Sequence, residues 1–248
     1  RFEGVLPPAA PGPAFALRKR AVGVIPLDRY VADGMMSAEQ ADFLRQAVHE
    51  RHNILIAGGT STGKTTLANA LLAEIATTGD RVLVLEDTIE LQCSARDHVP
   101  LRTRAGAVSM AELVRATMRL RPDRVVVGEV RGGEALDLVK VWGTGHPGGI
   151  ATIHAGSALG ALLRLEQLIL EVAVNPPRAL IAEAVNVVIY IAGRGRKRRI
   201  ETIARVTGHD STGYHLVAMN GALDAPFPEL PAPTPLATSS SPPPEADS

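Results

Sequence analysis

Short apolar runs alternate along this chain with longer stretches whose apolar positions recur every three or four residues, the pattern of strands spaced by helices. "NILIAG" reads as a buried strand, and "TTLANALLAEIA" as the helix leaving the glycine-rich loop that follows it. "RVLVLED" reads as a second strand, entered by the Gly79-Asp80 turn. "RVVVGE" makes a third strand, "GEALDLVKVW" a helix and "GIATIH" a fourth strand. A helix over residues 158–172 sets Leu162, Leu165, Ile169 and Val172 on one face. Ser37 with Gln40 and Ser109 with Glu112 form capping boxes that open two more helices. The first carries a stripe of Leu44, Ala47 and Val48; Pro122 stops the second. "VVIYIA", "IETIARV" and "YHLVAM" then read as antiparallel strands. The whole predicts an α/β fold with a mostly parallel central sheet, helices on both faces and a terminal antiparallel portion.

The ends read differently. Residues 1–22 begin without Met, and a Pro-rich stretch separates two short apolar runs, as at the end of a truncated N-terminal domain plus its linker. Residues 23–220 carry the strand and helix pattern. Residues 221–248 are rich in Pro, Ser and Ala, and bury too little apolar surface to offset their ordering entropy, so this tail is expected to be disordered.

Composition narrows the function classes. The 248 residues include 26 Lys plus Arg and 26 Asp plus Glu, so no global basic field draws in nucleic acid. Aromatics make up 3%, too few for a base-stacking platform, and stable direct nucleic-acid binding is not expected. The single Cys93 excludes an internal disulfide framework and fits a reducing compartment. No apolar run approaches the roughly 20 residues of a membrane-spanning helix, so a soluble, cytoplasmic protein is expected.

The stretch from Gly58 to Thr65 fits G-x-x-x-x-G-K-[ST] in full, between a strand and a helix. Gly58, Gly59, Thr60, Ser61, Thr62, Gly63, Lys64, Thr65 and Thr66 are therefore the candidate nucleotide-binding residues. Backbone N–H groups and the helix N-terminus would cradle the β-phosphate; Lys64 would reach the β- and γ-phosphates, and Thr65 would ligate Mg²⁺. A purely structural glycine turn is the plain alternative. Glu129 ends the third strand, at the edge where open α/β sheets bind ligands, and reads as the general base beside the metal. Otherwise it caps the next turn. Gly128 stands where an Asp is usual, which leaves Mg²⁺ to Thr65 and bridging waters.

"LEDTIEL" crowds Glu86, Asp87 and Glu90 after the second strand, to hold a metal, to anchor arginines of a neighbouring subunit, or as a solvated loop. "TGHPGGIATIHA" sets His146 before a Gly-rich turn and His154 after the fourth strand; both are expected at the edge that carries Glu129, to sense the γ-phosphate or couple hydrolysis to movement. Two ordinary polar histidines are the alternative; the other histidines read as structural or surface. Arg18, Lys19, Arg20, Arg102 and Arg104 are candidate cations for a nucleotide in this or an adjacent subunit, against solvated charge. The basic run "GRGRKRR", residues 193–199, reads as a solvated hairpin loop or as a surface for nucleic acid or an acidic partner.

Taken in order, the phosphate loop, "LEDTIEL", "GEVRG" and "TGHPGGIATIHA" resemble the Walker A, Asp box, Walker B and His box of the type II and type IV secretion ATPases. "GHPGG" and the eight-residue histidine spacing look like the type IV branch, and like its conjugative-transfer ATPases of the TrbB type. "RFEGVLPP" and "FALRKRA" resemble the end of that branch's N-terminal domain and its linker. The likeness covers about residues 1–206. It implies a RecA-like P-loop NTPase domain, an ATPase using ATP and Mg²⁺, and a homo-hexameric ring binding ATP between N- and C-terminal domains. It implies peripheral attachment to the bacterial inner membrane and partners among the secretion-channel proteins there. It carries over Lys64 and Thr65 at the phosphates, Glu129 as catalytic acid, Glu86 and Glu90 in the acidic box, and His146 and His154 in the His box. Thr88 departs from the frequent Pro of the acidic box, which loosens the turn and keeps the carboxylates. Two rivals remain: a DNA-translocating RecA or helicase-like ATPase, and a nucleotide-gated assembly protein with little turnover.

Overall fold

The computed structural model describes residues 2–17 and 23–219, with the backbone of residues 221–222. Strands β1 (Phe2–Val5) and β2 (Ala14–Leu17) form an antiparallel hairpin with exposed side chains, in a sheet of their own. Then come α1 (Leu27–Ala32), α2 (Ala38–His49), β3 (Ile54–Gly58), α3 (Lys64–Ile75), β4 (Val82–Glu86) and β5 (His98–Arg102). Next are α4 (Met110–Thr117), β6 (Arg124–Val130), α5 (Glu134–Gly143), β7 (Ile150–Ile153) and α6 (Ala158–Ile169). The chain continues through α7 (Arg178–Ala184), β8 (Val187–Ala192), β9 (Arg199–Asp210), β10 (Gly213–Ala218) and β11 (Gly221–Ala222).

The main sheet runs β11-β10-β9-β8-β3-β7-β6-β4-β5. From β8 to β5 all neighbours are parallel; β9, β10 and β11 add antiparallel pairs. Side-chain alternation divides the core. Leu55, Leu83, Val125, Ala151 and Val188 pack under α4 to α7, while Ile54, Val82, Val126, Ile150 and Ile189 pack under α1 to α3. Each such Leu, Ile or Val contributes about 1.5–3 kcal/mol through burial. Both capping boxes form.

Several expectations change. β8 pairs parallel with β3, so "VVIYIA" belongs to the parallel set and only its β9 side is antiparallel. The helix expected over residues 158–172 ends at Ile169, leaving Val172 61% exposed in the turn beyond it. α4 ends at Thr117, ahead of Pro122. Gly221 and Ala222, assigned to the tail, pair with β10. The rest of the tail, and Arg18, Lys19 and Arg20, lie outside the described residues.

Because the central strands are parallel, the sheet has two distinct rims. At the amino rim, where strands begin, Arg124 is 1% exposed and donates to Asp80 at 2.6 Å and to the Gly148 carbonyl at 3.3 Å. Asp80 also accepts from the Thr78 hydroxyl and pairs with Arg51. Beside them, Asn53 accepts from the Gly149 N–H and donates to the Ala184 carbonyl. Burial works against the Asp80 charge, but Arg124, Thr78 and Arg51 outweigh it and hold the carboxyl below its usual value.

Candidate functional site

At the carboxyl rim β3 runs into the phosphate loop, and the loop into α3. Gly58 sits so close to its surroundings that a Cβ would meet the Thr62 hydroxyl at 2.5 Å and the Ile191 carbonyl at 2.8 Å. Thr62 closes the loop by donating to the Gly59 carbonyl. Gly63 occupies the helix N-cap at φ 102°, and no side chain caps α3, so its first N–H groups are left for an anion. Serine side chains cap α2, α4 and α6.

Beside the loop lies a cavity of about 210 Å³. All the predicted loop residues except Gly58 and Thr62 line it, and those two shape the loop from beneath. Lys64 is buried, and its Nζ donates to the carbonyls of Gly58 and Gly59 at 2.9 and 3.2 Å. It lies 3.4 Å from His154 Nε2 and 4.0 Å from Glu129 Oε1. His154 Nε2 is 2.8 Å from that same carboxylate oxygen, which assigns a proton to Nε2. Burial and the Lys64 charge push the His154 pKa below 6.5 against the pull of Glu129, so the ring is neutral near pH 7.

The acidic segment supplies the opposite wall. Glu86, at the end of β4, accepts the N–H groups of Glu90 and Leu91 at 2.9 and 2.8 Å and so folds the loop that carries Glu90 into the cavity. Glu90 Oε2 is 3.5 Å from the Thr65 hydroxyl. A Cβ on Gly128 would meet Glu86 Cγ at 3.1 Å, so Gly128 leaves the space that the Glu86 side chain fills. Thr65, Glu90 and Glu129 line the same cavity, but among the described residues no three acidic or imidazole side chains converge on one metal position, so Mg²⁺ would rest on the Thr65 hydroxyl, phosphate oxygens and its own waters.

His146 is placed elsewhere. It precedes β7, while His154 follows it, so the two lie at opposite rims and the expectation of a shared edge is corrected. The Gly-rich turn between them returns the chain to the amino rim, where Gly148 and Gly149 meet Arg124 and Asn53. Neither Arg102 nor Arg104 lines the cavity. Arg131 does, and it was missed: it pairs with Glu129 and reaches Asp87 at 3.4 Å. Its position two residues after Glu129 on the same edge was the available signal. Thr152, also missed, lines the cavity and donates to the Gly128 carbonyl at 2.6 Å.

The profile of the "Type II/IV secretion system protein" family matches residues 4–196. The chain belongs to that family. Within it, a conjugal transfer protein TrbB of Rhizobium radiobacter is 50% identical over 216 residues, covering 86% of this chain and 67% of that protein. The type IV secretion system protein PtlH of Bordetella pertussis is 37% identical, covering 82% of this chain and 71% of that protein. The crystal structure of the VirB11 ATPase of the Brucella suis type IV secretion system, in complex with sulphate, superposes with a TM-score of 0.61 at 28% identity, covering 82% of this chain and 72% of that one. The family resemblance read from four short motifs is thus borne out over most of the chain, and so is the α/β fold with its mostly parallel sheet.

Proposed function

We propose that the chain is an ATP-hydrolysing motor that energises a type IV secretion or conjugative-transfer system. The observation that carries this reading is the meeting of Lys64, Glu129 and His154 within 4.0 Å at one cavity beside an uncapped helix N-terminus. Kinship to the TrbB and VirB11 proteins favours transport as the use of the energy over direct action on nucleic acid.

The loop N–H groups and Lys64 bind the β- and γ-phosphates of ATP. Thr65, with the Glu90 carboxylate 3.5 Å from its hydroxyl and Glu129 lining the same cavity, would hold Mg²⁺, which would neutralise phosphate charge when bound. Glu129 accepts the proton of the attacking water as that oxygen bonds to the γ-phosphorus and the bond to the ADP oxygen breaks. His154, neutral and donating to Glu129, orients the carboxylate, and Arg131 anchors it from the solvent side. Glu86 acts through the backbone it folds, and His146 acts away from the phosphates.

On this reading residues 23–222 form the motor domain, preceded by the β1–β2 hairpin and followed by a Pro/Ser-rich segment. It works as a homo-hexameric ring, peripheral to the bacterial inner membrane, against secretion-channel proteins. No helix among the described residues is long and apolar enough to cross a membrane. Glu129→Gln should keep ATP affinity within about twofold while slowing phosphate release about 10²–10⁴-fold in a single-turnover assay. Undiminished release would remove Glu129 as base; an unaltered chain that binds ATP without releasing phosphate would leave a nucleotide-gated assembly protein.

A further inference from the structure

The basic run at residues 193–199 spans the β8–β9 connection and the first residue of β9, over the same rim as the phosphate loop, because Gly58 of β3 registers with Ile191 of β8. Arg194, Arg196 and Lys197 are exposed there, as a solvated hairpin requires. Arg198 is different. It donates to the Ser61 carbonyl at 3.3 Å, and its guanidinium lies 3.0 Å from where a Cβ on Gly63 would stand. Its Nε is buried with no hydrogen-bond partner among the described residues.

Two features hold this arginine where it is. Gly193 has φ 77°, and a Cβ there would stand 2.1 Å from the Lys197 carbonyl oxygen, so glycine lets the connection fold tightly onto itself just before Arg198. On the far side, Ile200 donates to the Met35 carbonyl at 2.8 Å, tying the start of β9 to the segment after α1. Buried Tyr30 of α1 is close enough for its hydroxyl to feel the Arg198 charge.

The sheet order gives the position a meaning. Glu129 lies at the end of β6 and His154 just after β7, on one side of β3; on the reading proposed above they mark the γ-phosphate end of the nucleotide. β8 and β9 lie on the other side of β3. A nucleotide threaded through the loop with its terminal phosphate toward Glu129 turns its nucleoside toward β8, where Arg198 stands.

We propose that Arg198 is a nucleoside-binding residue: one edge of its guanidinium holds the Ser61 carbonyl, and its planar face packs against the ribose and base of the nucleotide. A flat, weakly hydrated cation suits that task, and a lysine, a compact charge without a plane, does not. The proposal rests on the nucleotide reading of the site given above, which it deepens. It assigns a role to one member of the basic run and leaves its neighbours as solvated charge.

The test separates the two halves of the ligand. Binding of ADP and of inorganic tripolyphosphate, each with Mg²⁺, is measured by calorimetry for the unaltered chain, Arg198→Lys, Arg198→Ala and Lys64→Ala, with melting curves to verify folding. Arg198→Lys keeps a donor for Ser61, and it should hold tripolyphosphate within about twofold while weakening ADP about tenfold. Arg198→Ala should weaken ADP at least as much. Equal loss of both ligands in Arg198→Lys would reduce Arg198 to a brace for the loop and overturn the proposal, as would ADP affinity unchanged in both variants. Lys64→Ala should lose both ligands together; if it loses neither, the nucleotide reading fails on its own evidence, and the proposal with it.

Discussion

The two rims of the central sheet carry similar side chains and use them in opposite ways. At the amino rim Arg124 and Asp80 are buried and bonded to protein groups, with Thr78, Arg51 and the Gly148 carbonyl completing the set. At the carboxyl rim Lys64, Glu129, His154, Glu86 and Glu90 surround a cavity, and the helix that starts there has no side-chain cap. Desolvating an ion pair is costly, and a closed pair recovers the cost through short, complete hydrogen bonding. At the carboxyl rim Lys64, Glu129 and Glu86 also have protein partners, but the groups that hold them line a cavity a ligand can enter. One rim holds strands together, and the other, on the proposed reading, holds phosphate.

That contrast can be broken by changing one rim and reading the other. Asp80→Asn removes the counter-charge of a buried arginine, and it should cost about 3–5 kcal/mol, measured as a lower urea midpoint. Nucleotide affinity of the folded protein should stay within about twofold; a large loss would mean that the rims are coupled. The pH dependence follows in sign. The Asp80 carboxyl is held below its unfolded value of 3.8, so its contribution is complete above that pH and is lost as pH falls through the lower folded value. The variant should therefore lose less stability than the parent between pH 5 and pH 3. The smallest effect is expected at the sheet's edge, outside the cavity: Ser109→Ala removes the cap of α4, which follows edge strand β5, and should cost about 1 kcal/mol, with nucleotide binding unchanged. An equal loss of binding there would show that global stability, and not rim chemistry, governs the site.

Much of the site was legible because its chemistry is local. The phosphate loop needs glycines and a lysine at fixed spacing, and a strand-end glutamate follows from where a parallel strand stops. Capping boxes were legible for the same reason. What escaped is either short or set by tertiary pairing. α1 spans six residues and α7 seven, too few turns to show a period. β5 contains Pro100, which an edge strand tolerates, and its pairing with β4 is invisible locally. His146 was misplaced because sequence distance from His154 does not say which rim a turn reaches; a strand of four residues lies between them. Arg198 was hidden in a charged run, and only the register of β8 on β3 brings it over Ser61.

The central claim is tested most directly by equilibrium binding of ATP with Mg²⁺ to the chain and to Lys64→Ala, with the melting curve of each recorded alongside. The predicted result is a loss of affinity of about a hundredfold or more, as expected when a buried ammonium facing the phosphates is removed, in a protein that still folds. A folded Lys64→Ala protein that bound ATP as tightly as the parent would contradict it.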